Sequence, residues 1–375
     1  MKKLKLLTMI AAIFLFCGMV NVNAATVDSE QADARGQFYV GTPGTNVEVT
    51  KEEDGTFNVK LTGNAVQDII IYEGEDVTLD LNGYTLTNFT PECEAIKVLY
   101  GGKLTIMDSS EEGTGTVTQA ATSKFSAITN QGTMIIESGN FITTLSQYVV
   151  RNENNLTING GTFTNESSDT SLIGNIVNMD KSVPEDVKPT MLINEGSYTA
   201  NSNTVINNEN CVVEIAGGTF TSENAYALDN WSEATVSGGK LTSINNSAIR
   251  YGDRGQSESV SLTITGGTIV SYETADDIKI VDENAVLDVR GNLSITGGSF
   301  TSDVSEYLPS DLELVDDGNG NLVVAEKEVQ EEETVPTETP VENPDTSDIN
   351  LVFIISLIVL ATAGLTYTLR KRKFN

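Results

Sequence analysis

The sequence contains no histidine, three cysteines, one tryptophan and only 22 basic residues in a chain of 375. Without histidine, no imidazole can transfer a proton or bind a metal. The 53 acidic residues give a net charge of −31, which argues against nucleic acid or anionic lipid as a partner. Aromatic residues make up 6% of the chain, while glycine, serine, threonine and asparagine are frequent. This composition is typical of β-rich rather than helical proteins.

The first 24 residues have the pattern of a secretory signal peptide. A basic start that includes Lys2, Lys3 and Lys5 precedes an apolar run over residues 6–20, and Ala24 ends a short cleavage triplet. The apolar run is shorter than the ~20 residues that a membrane-spanning helix needs. The pattern therefore predicts export, with cleavage between Ala24 and Ala25.

The C-terminal end has three features in a fixed order. A pentapeptide comes first, then an apolar run over 351–369 that is predicted to form a transmembrane helix, then a basic tail. The pentapeptide consists of Asn343, Pro344, Asp345, Thr346 and Ser347. Residues 326–342 before it, rich in acid, threonine and proline, predict an extended linker.

This order resembles the cell-wall sorting signal of Gram-positive bacteria, in an LPXTG-like form. The resemblance implies that a sortase cuts after Thr346 and joins it to peptidoglycan, with the helix holding the chain in the membrane beforehand. Asn343 stands where leucine is usual and Ser347 where glycine is usual, which leaves the sortase class open. The alternative is a plain single-pass membrane anchor.

The middle of the chain repeats a unit whose basic length is 21 to 24 residues. Each unit has alternating apolar residues, a glycine corner and then one large apolar residue, as in Leu156, Ile158, Gly161 and Phe163. The large residues after the corners are Leu86, Val117, Phe141, Phe163, Tyr198, Phe220, Leu241, Ile269 and Phe300. Gly218 and Gly298 hold the place of Gly161 in their own units. Such units are expected to stack, with the apolar residues in inward columns and the glycines at one corner.

A second column supports stacking. Asn130, Asn152, Asn208 and Asn230 recur at nearly one place in the unit, where their amides can bond along a turn. Cys93 and Cys211 lie about five units apart, which at ~4.8 Å per unit is beyond disulfide reach. They are predicted to be separate thiols.

The predicted fold is therefore all-β: a right-handed parallel β-helix of about nine coils over 77–302. An N-terminal segment and cap over 25–76 precede it. A hairpin over 303–325 follows it, and residues 343–375 complete the chain. The repeats resemble the pectin-lyase-like superfamily, and more narrowly clostridial-type wall-anchored surface proteins with GGTF-like repeats. Enzymes of that superfamily cleave polysaccharides, so the resemblance also implies a polysaccharide lyase or hydrolase as an alternative.

No catalytic motif is apparent. Arg151 and Arg250 have acids nearby, Glu153 and Asp253, but no catalytic spacing. Arginine and acids gathered on one face would favour an enzyme, and scattered charges a binding protein. Trp231 follows Asn230 where other units have polar residues, so it is expected to be exposed and is the candidate ligand contact.

Tyr148 and Tyr226 occupy one equivalent place and are expected to be a stacked pair in the core. The stretch from Asp317 to Asn321 favours a hairpin turn over a calcium loop. No cofactor or metal is predicted, with bound calcium left as an alternative that rests on net charge alone.

The predicted function is a non-enzymatic, adhesin-like protein of the Gram-positive cell wall that binds glycans or host or matrix proteins. The alternative is a surface-tethered polysaccharide lyase or hydrolase. The expected partners are sortase, peptidoglycan and an extracellular ligand.

Overall fold

The computed structural model describes residues 46–89, 93–120, 125–145, 148–167, 176–178, 188–253, 260–282 and 289–328. All of them except Glu328 belong to the first of the two units into which the chain divides, Met1–Lys327 and Glu328–Asn375. The described part is all-β and is built from three long sheets of mainly parallel strands.

The chain visits the three sheets in turn, and each round of three strands is one coil. The first sheet contains Val47–Lys51, Phe57–Leu61, Asp76–Asp80, Lys103–Met107, Thr133–Ile136, Asn155–Ile158, Thr190–Ile193, Val212–Ile215, Glu233–Val236, Ser261–Ile264 and Leu293–Ile295. The second sheet contains Ala65–Val66, Thr85–Thr87, Thr116–Thr118, Asn140–Thr143, Thr162–Asn165, Ser197–Ala200, Thr219–Ser222, Lys240–Ser243, Thr268–Val270, Ser299–Phe300, Leu312–Asp316 and Leu322–Glu326. The third sheet contains Ile69–Ile71, Ile96–Val98, Ile128–Asn130, Val150–Asn152, Ile176–Asn178, Ile206–Asn208, Leu228–Asn230, Ile249–Asp253 and Ile278–Asp282. This topology is consistent with a parallel β-helix.

The ends of the array are closed by antiparallel strands. Val47–Lys51 pairs antiparallel with Phe57–Leu61 at the first sheet. At the other end Leu312–Asp316 and Leu322–Glu326 form the hairpin that the sequence predicts, and the second strand pairs with Ser299–Phe300. One turn of 3₁₀ helix, Ser305–Tyr307, precedes the hairpin. Antiparallel strands at the ends occupy backbone groups that would otherwise form open edges.

The predicted inward columns are confirmed. Leu156 pairs in register with Met134 and Met191, and all three side chains are buried. The large residues after the glycine corners are also buried, and four of them stack ring on ring. Their centroids are 4.7 Å apart for Phe141 and Phe163, 4.8 Å for Phe163 and Tyr198, and 4.5 Å for Tyr198 and Phe220. The repeat places one ring per coil, so stacking at strand spacing follows from the register.

The glycine corner has two distinct requirements. Gly161, Gly218 and Gly298 have φ values of +104°, +96° and +107°, which residues with a Cβ rarely adopt. The glycine before such a position is required for a different reason. At Gly238 a Cβ would lie 2.1 Å from the carbonyl oxygen of Ala216 on the preceding coil. The paired glycines thus permit both the bend and the close approach of coils.

The asparagine column is a hydrogen-bonded ladder at the turn after the third sheet. Asn130 donates from Nδ2 to Oδ1 of Asn152 at 2.8 Å, and Asn208 donates to Asn230 in the same way at 2.8 Å. The same amides also donate to backbone carbonyls, which include that of Asn155 at 2.8 Å. The ladder therefore satisfies buried backbone groups where the chain leaves one sheet for the next.

Two features of the array differ from the prediction. The array begins one coil before Val77, because Phe57–Leu61, Ala65–Val66 and Ile69–Ile71 already pair with the three sheets. The residue in the marker position of that coil is Ala65, which is too small to reveal the pattern. The segment between Ser167 and Lys188, which makes its unit longer than the basic repeat, contains the third-sheet strand Ile176–Asn178. The described residues thus form nine complete coils and two strands of a tenth.

Cys93 and Cys211 are buried and are not joined in a disulfide, as predicted. The signal peptide, the pentapeptide from Asn343 to Ser347 and the apolar run over 351–369 lie outside the described residues. So does nearly all of the linker. Among the described residues, no helix has the length and apolar character needed to cross a membrane.

Candidate functional site

The outward face of the third sheet carries an unusual column of polar side chains. In the strands of this sheet whose side chains are described, the residue between two inward-pointing neighbours points away from the core. Those middle residues include Lys97, Thr129, Arg151, Asn207, Asp229, Arg250 and Lys279. Several of them are nevertheless buried, with Thr129, Asn207 and Asp229 at 3% exposure or less. Side chains from the flanking turns therefore cover this face.

Arg250 is at the centre of the best-defined cluster on this face. Its Nε donates to Oδ1 of Asp229 at 2.7 Å, and its Nη2 pairs with the other oxygen of the same carboxylate. The guanidinium carbon lies 4.5 Å from the ring centroid of Tyr226 and 4.7 Å from that of Trp231. The cation is thus held by a bidentate ion pair between two aromatic rings.

The environment of Arg250 fixes its charge. Burial alone would lower its pKa, but the hydrogen bond and the charge of Asp229 outweigh burial and raise the pKa of Arg250 above its ordinary value. A side chain that holds its proton this firmly cannot act as a base near neutral pH. The prediction named Asp253 as the nearby acid. The structure instead pairs Arg250 with Asp229, which faces it from the preceding coil.

Arg151 has a similar arrangement four coils earlier. It forms an ion pair with Glu153, as the sequence proximity indicated, and Glu153 also accepts from Nε2 of Gln131 at 2.9 Å. Burial raises the pKa of Tyr148 to about 12; the charge of Glu209 adds to this, and that of Arg151 opposes it. Two arginines, their carboxylate partners and two tyrosines therefore lie along this face, while other ion pairs, such as that of Lys60 and Asp80, lie elsewhere on the surface.

The expectation that Trp231 is exposed is wrong. Only 8% of it is accessible, because the guanidinium of Arg250 from the next coil lies over its ring. Tyr148 and Tyr226 are buried but do not form a stacked pair. Their strands are separated by those of two other coils, and Tyr226 packs on Arg250 instead. The rings of Tyr226 and Trp231 both contact Arg250. The sequence did not predict these contacts.

One further loop has a structural explanation. The inserted loop from Asp108 to Gly113 is organised by the carboxylate of Asp108, which accepts from the backbone N–H groups of Gly83 at 2.8 Å, Ser110 at 3.1 Å and Gly115 at 2.6 Å. Burial works to raise the pKa of Asp108, but these hydrogen bonds hold it below its ordinary value. The loop around Gly252 to Ser259 lies mostly outside the described residues.

The turn from Asp317 to Asn321 is the hairpin turn that the sequence favours over a calcium loop. Asp317 accepts from Nδ2 of Asn321 at 2.9 Å and from the backbone N–H of Asn319 at 2.7 Å. The hydrogen bond from the Asn321 side chain is the largest of several that lower the pKa of Asp317 to about 2. In the described part of the chain, no three acidic or cysteine side chains come together in a way that could hold a metal ion.

An open pocket of about 360 Å³ lies beside the C-terminal cap. Arg290 lies in it, near Oε2 of Glu306 at 3.5 Å and the hydroxyl of Tyr307 at 3.0 Å. Both members of this ion pair are well exposed, so solvent screens the pair and leaves it mobile. The pocket is therefore a weaker candidate than the Arg250 cluster.

Comparison with known proteins gives no match: no protein-family profile, curated protein or solved structure is similar to this chain. The repeat residues Gly161, Phe163, Gly218, Phe220, Gly298 and Phe300 lie at the corner and in the core. The remaining predicted sites, Ala24, Ala25, Asn343, Pro344, Asp345, Thr346 and Ser347, fall outside the described residues.

Proposed function

We propose that this chain is a non-enzymatic protein of the Gram-positive cell surface that binds extracellular glycans or proteins through a right-handed parallel β-helix. Right-handed winding rests on the strong preference of parallel crossover connections for that hand. The observation that carries binding is the third-sheet face. Arg151 and Arg250 are held by carboxylates, and Arg250 also packs against two aromatic rings, an arrangement suited to recognising a ligand.

Attachment to the wall rests on the sequence of the C-terminal end. The pentapeptide, the apolar run and the basic tail support cleavage by a sortase after Thr346 and transfer to peptidoglycan. The test is to incubate the purified full chain with sortases of several classes and a nucleophilic amine. Mass spectrometry is expected to find the amine joined to Thr346. Thr346→Ala should abolish this product, and Thr337→Ala, a threonine in the linker, should leave it unchanged. Lack of product with every class would favour a plain membrane anchor.

A polysaccharide lyase or hydrolase is the second candidate, because acids and arginines do gather on one face. The raised pKa of Arg250 argues against it as a base. The discriminating experiment displays the full chain on cells and measures reducing ends and unsaturated uronate released from a polysaccharide panel, with and without calcium. We expect no release above cells that lack the chain, together with adhesion to at least one glycan or matrix protein. Release that depends on the chain would replace the binding proposal with the enzymatic one.

A further inference from the structure

Arg250 and Lys279 are neighbouring cations on the outward face of the third sheet. Their strands pair in parallel, and the two residues are directly opposite each other in the register. Adjacent parallel strands lie about 4.8 Å apart, so two positive charges project side by side from successive coils. On a chain with 53 acidic residues, this local excess of positive charge needs an explanation.

The two cations are not equally satisfied. Arg250 uses Nε and Nη2 for Asp229, and its guanidinium also interacts with Tyr226, but 26% of its side chain remains accessible. Lys279 is exposed. Its Nζ lies 3.5 Å from the hydroxyl of Tyr226, and among the described residues it forms no ion pair with a carboxylate. Of these three charged side chains, two are cations and one is the carboxylate that pairs with Arg250.

The surroundings are rigid on one side and open on the other. Tyr226 and Trp231 both pack against the guanidinium, and the ion pair with Asp229 fixes its direction, so its donors are oriented before any ligand arrives. Tyr272, with 47% of its surface accessible, lies in the turn that leads into the strand of Lys279. The backbone N–H of Tyr272 donates to the carbonyl of Asn246 at 3.1 Å, which ties this turn to the coil of Arg250.

We infer that Arg250 and Lys279 form a binding site for a carboxylate or sulfate group of an anionic glycan. A fixed guanidinium and a flexible ammonium together match an oxyanion with several acceptor oxygens. The overall negative charge does not prevent this, because at physiological salt charges more than about 8 Å away are largely screened. The inference rests on the proposed binding function and names its ligand class.

The test uses the purified full chain in a nonionic detergent and three immobilised probes: polygalacturonate for carboxylates, heparin for sulfates and dextran as the neutral control. EDTA is present so that divalent cations cannot bridge acidic side chains to the probe. We expect binding to one or both anionic probes and none to dextran. Binding should weaken as salt is raised from 50 to 150 mM.

Two matched variants locate the site. Lys279→Gln removes one charge from an exposed side chain and is expected to weaken binding roughly five- to tenfold. Lys240→Gln makes the same change at an exposed position of the second sheet and should stay within about twofold. Equal losses in both variants, or no loss in Lys279→Gln, would overturn the inference. Adhesion to neutral glycans or matrix proteins with no affinity for either anionic probe would also overturn it, while leaving the proposed function intact. Failure to bind any ligand would overturn both.

Discussion

Arg250 and Asp229 depend on each other because both are largely withdrawn from water. Only 4% of the Asp229 side chain is accessible, so removing Arg250 leaves a nearly buried carboxylate without the guanidinium that pairs with it. The two aromatic rings remain, but they cannot neutralise it.

We therefore expect Arg250→Gln to lower the free energy of unfolding by about 2 kcal/mol or more, as observed when one member of a buried ion pair is removed. Asp229→Asn should have a smaller effect, because Arg250 retains access to solvent. The double variant should be more stable than the sum of the two losses implies, since no unpaired charge remains. Denaturant titration of the four proteins measures the coupling. Additive losses would show that the pair contributes no interaction of its own.

Asp108 makes the stability of the folded protein depend on pH. Its pKa is lowered in the folded state, so its contribution to stability is fully present above the unfolded pKa of about 3.9. That contribution is lost as pH falls through the lower folded value.

Asp108→Asn is expected to lower the melting temperature at pH 6, because the amide replaces an oxygen that accepts from backbone N–H groups. The difference in melting temperature between the variant and the parent protein should decrease between pH 4 and pH 2. Calorimetry over this range provides the measurement, and Glu111→Gln in the same loop, on an exposed side chain, is the matched control. A difference that stays constant down to pH 2 would contradict the lowered pKa.

At the scale of the coil, the paired glycines allow successive turns to lie at strand spacing. Gly238 has no positive φ but faces the carbonyl of Ala216 at short range, whereas Gly74 has a φ of +79° with open space around it. Alanine substitutions at these two positions therefore distinguish steric crowding from backbone strain.

Gly238→Ala is expected to destabilise the protein by more than 2 kcal/mol, because a Cβ at 2.1 Å from a backbone oxygen forces two coils apart. Gly74→Ala should cost about 1 kcal/mol, the strain of a left-handed conformation. The stabilities of the two variants are compared through their midpoints of urea unfolding. If Gly238→Ala lowers the free energy of unfolding no more than Gly74→Ala does, the glycine corner relaxes without strain.

The coil is also where sequence reasoning succeeded and failed. The inward columns around Leu156 and Phe163 were predictable, because stacking imposes one residue type at one place in every unit. The coil at Phe57 was missed because Ala65 replaces the large marker. Trp231 was misplaced for another reason: its cover, Arg250, comes from the next coil, and local sequence does not reveal which outward side chains meet across coils.

At the scale of the whole molecule, charge is the dominant feature. With 53 acidic and 22 basic residues, repulsion between like charges opposes the folded state. The ion pairs of the third-sheet face are local exceptions, and those of Glu153 and Asp229 are partly shielded from solvent.

Salt is therefore expected to stabilise the protein. Raising sodium chloride from 10 to 500 mM shortens the Debye length from about 30 Å to below 8 Å and should raise the melting temperature by several degrees. An equal osmolarity of an uncharged solute controls for effects other than screening. A melting temperature that falls with salt would show that attractive pairs outweigh the net repulsion.

The burial of Trp231 has a spectroscopic consequence. Because the chain has one tryptophan, all of its indole fluorescence originates beside Arg250 in the seventh coil. Its emission should be blue-shifted relative to indole in water and should shift to the red when that coil opens. Excitation at 295 nm thus isolates one coil of the array and turns it into an internal reporter, without a label, for local unfolding and for any ligand that displaces the guanidinium from the ring.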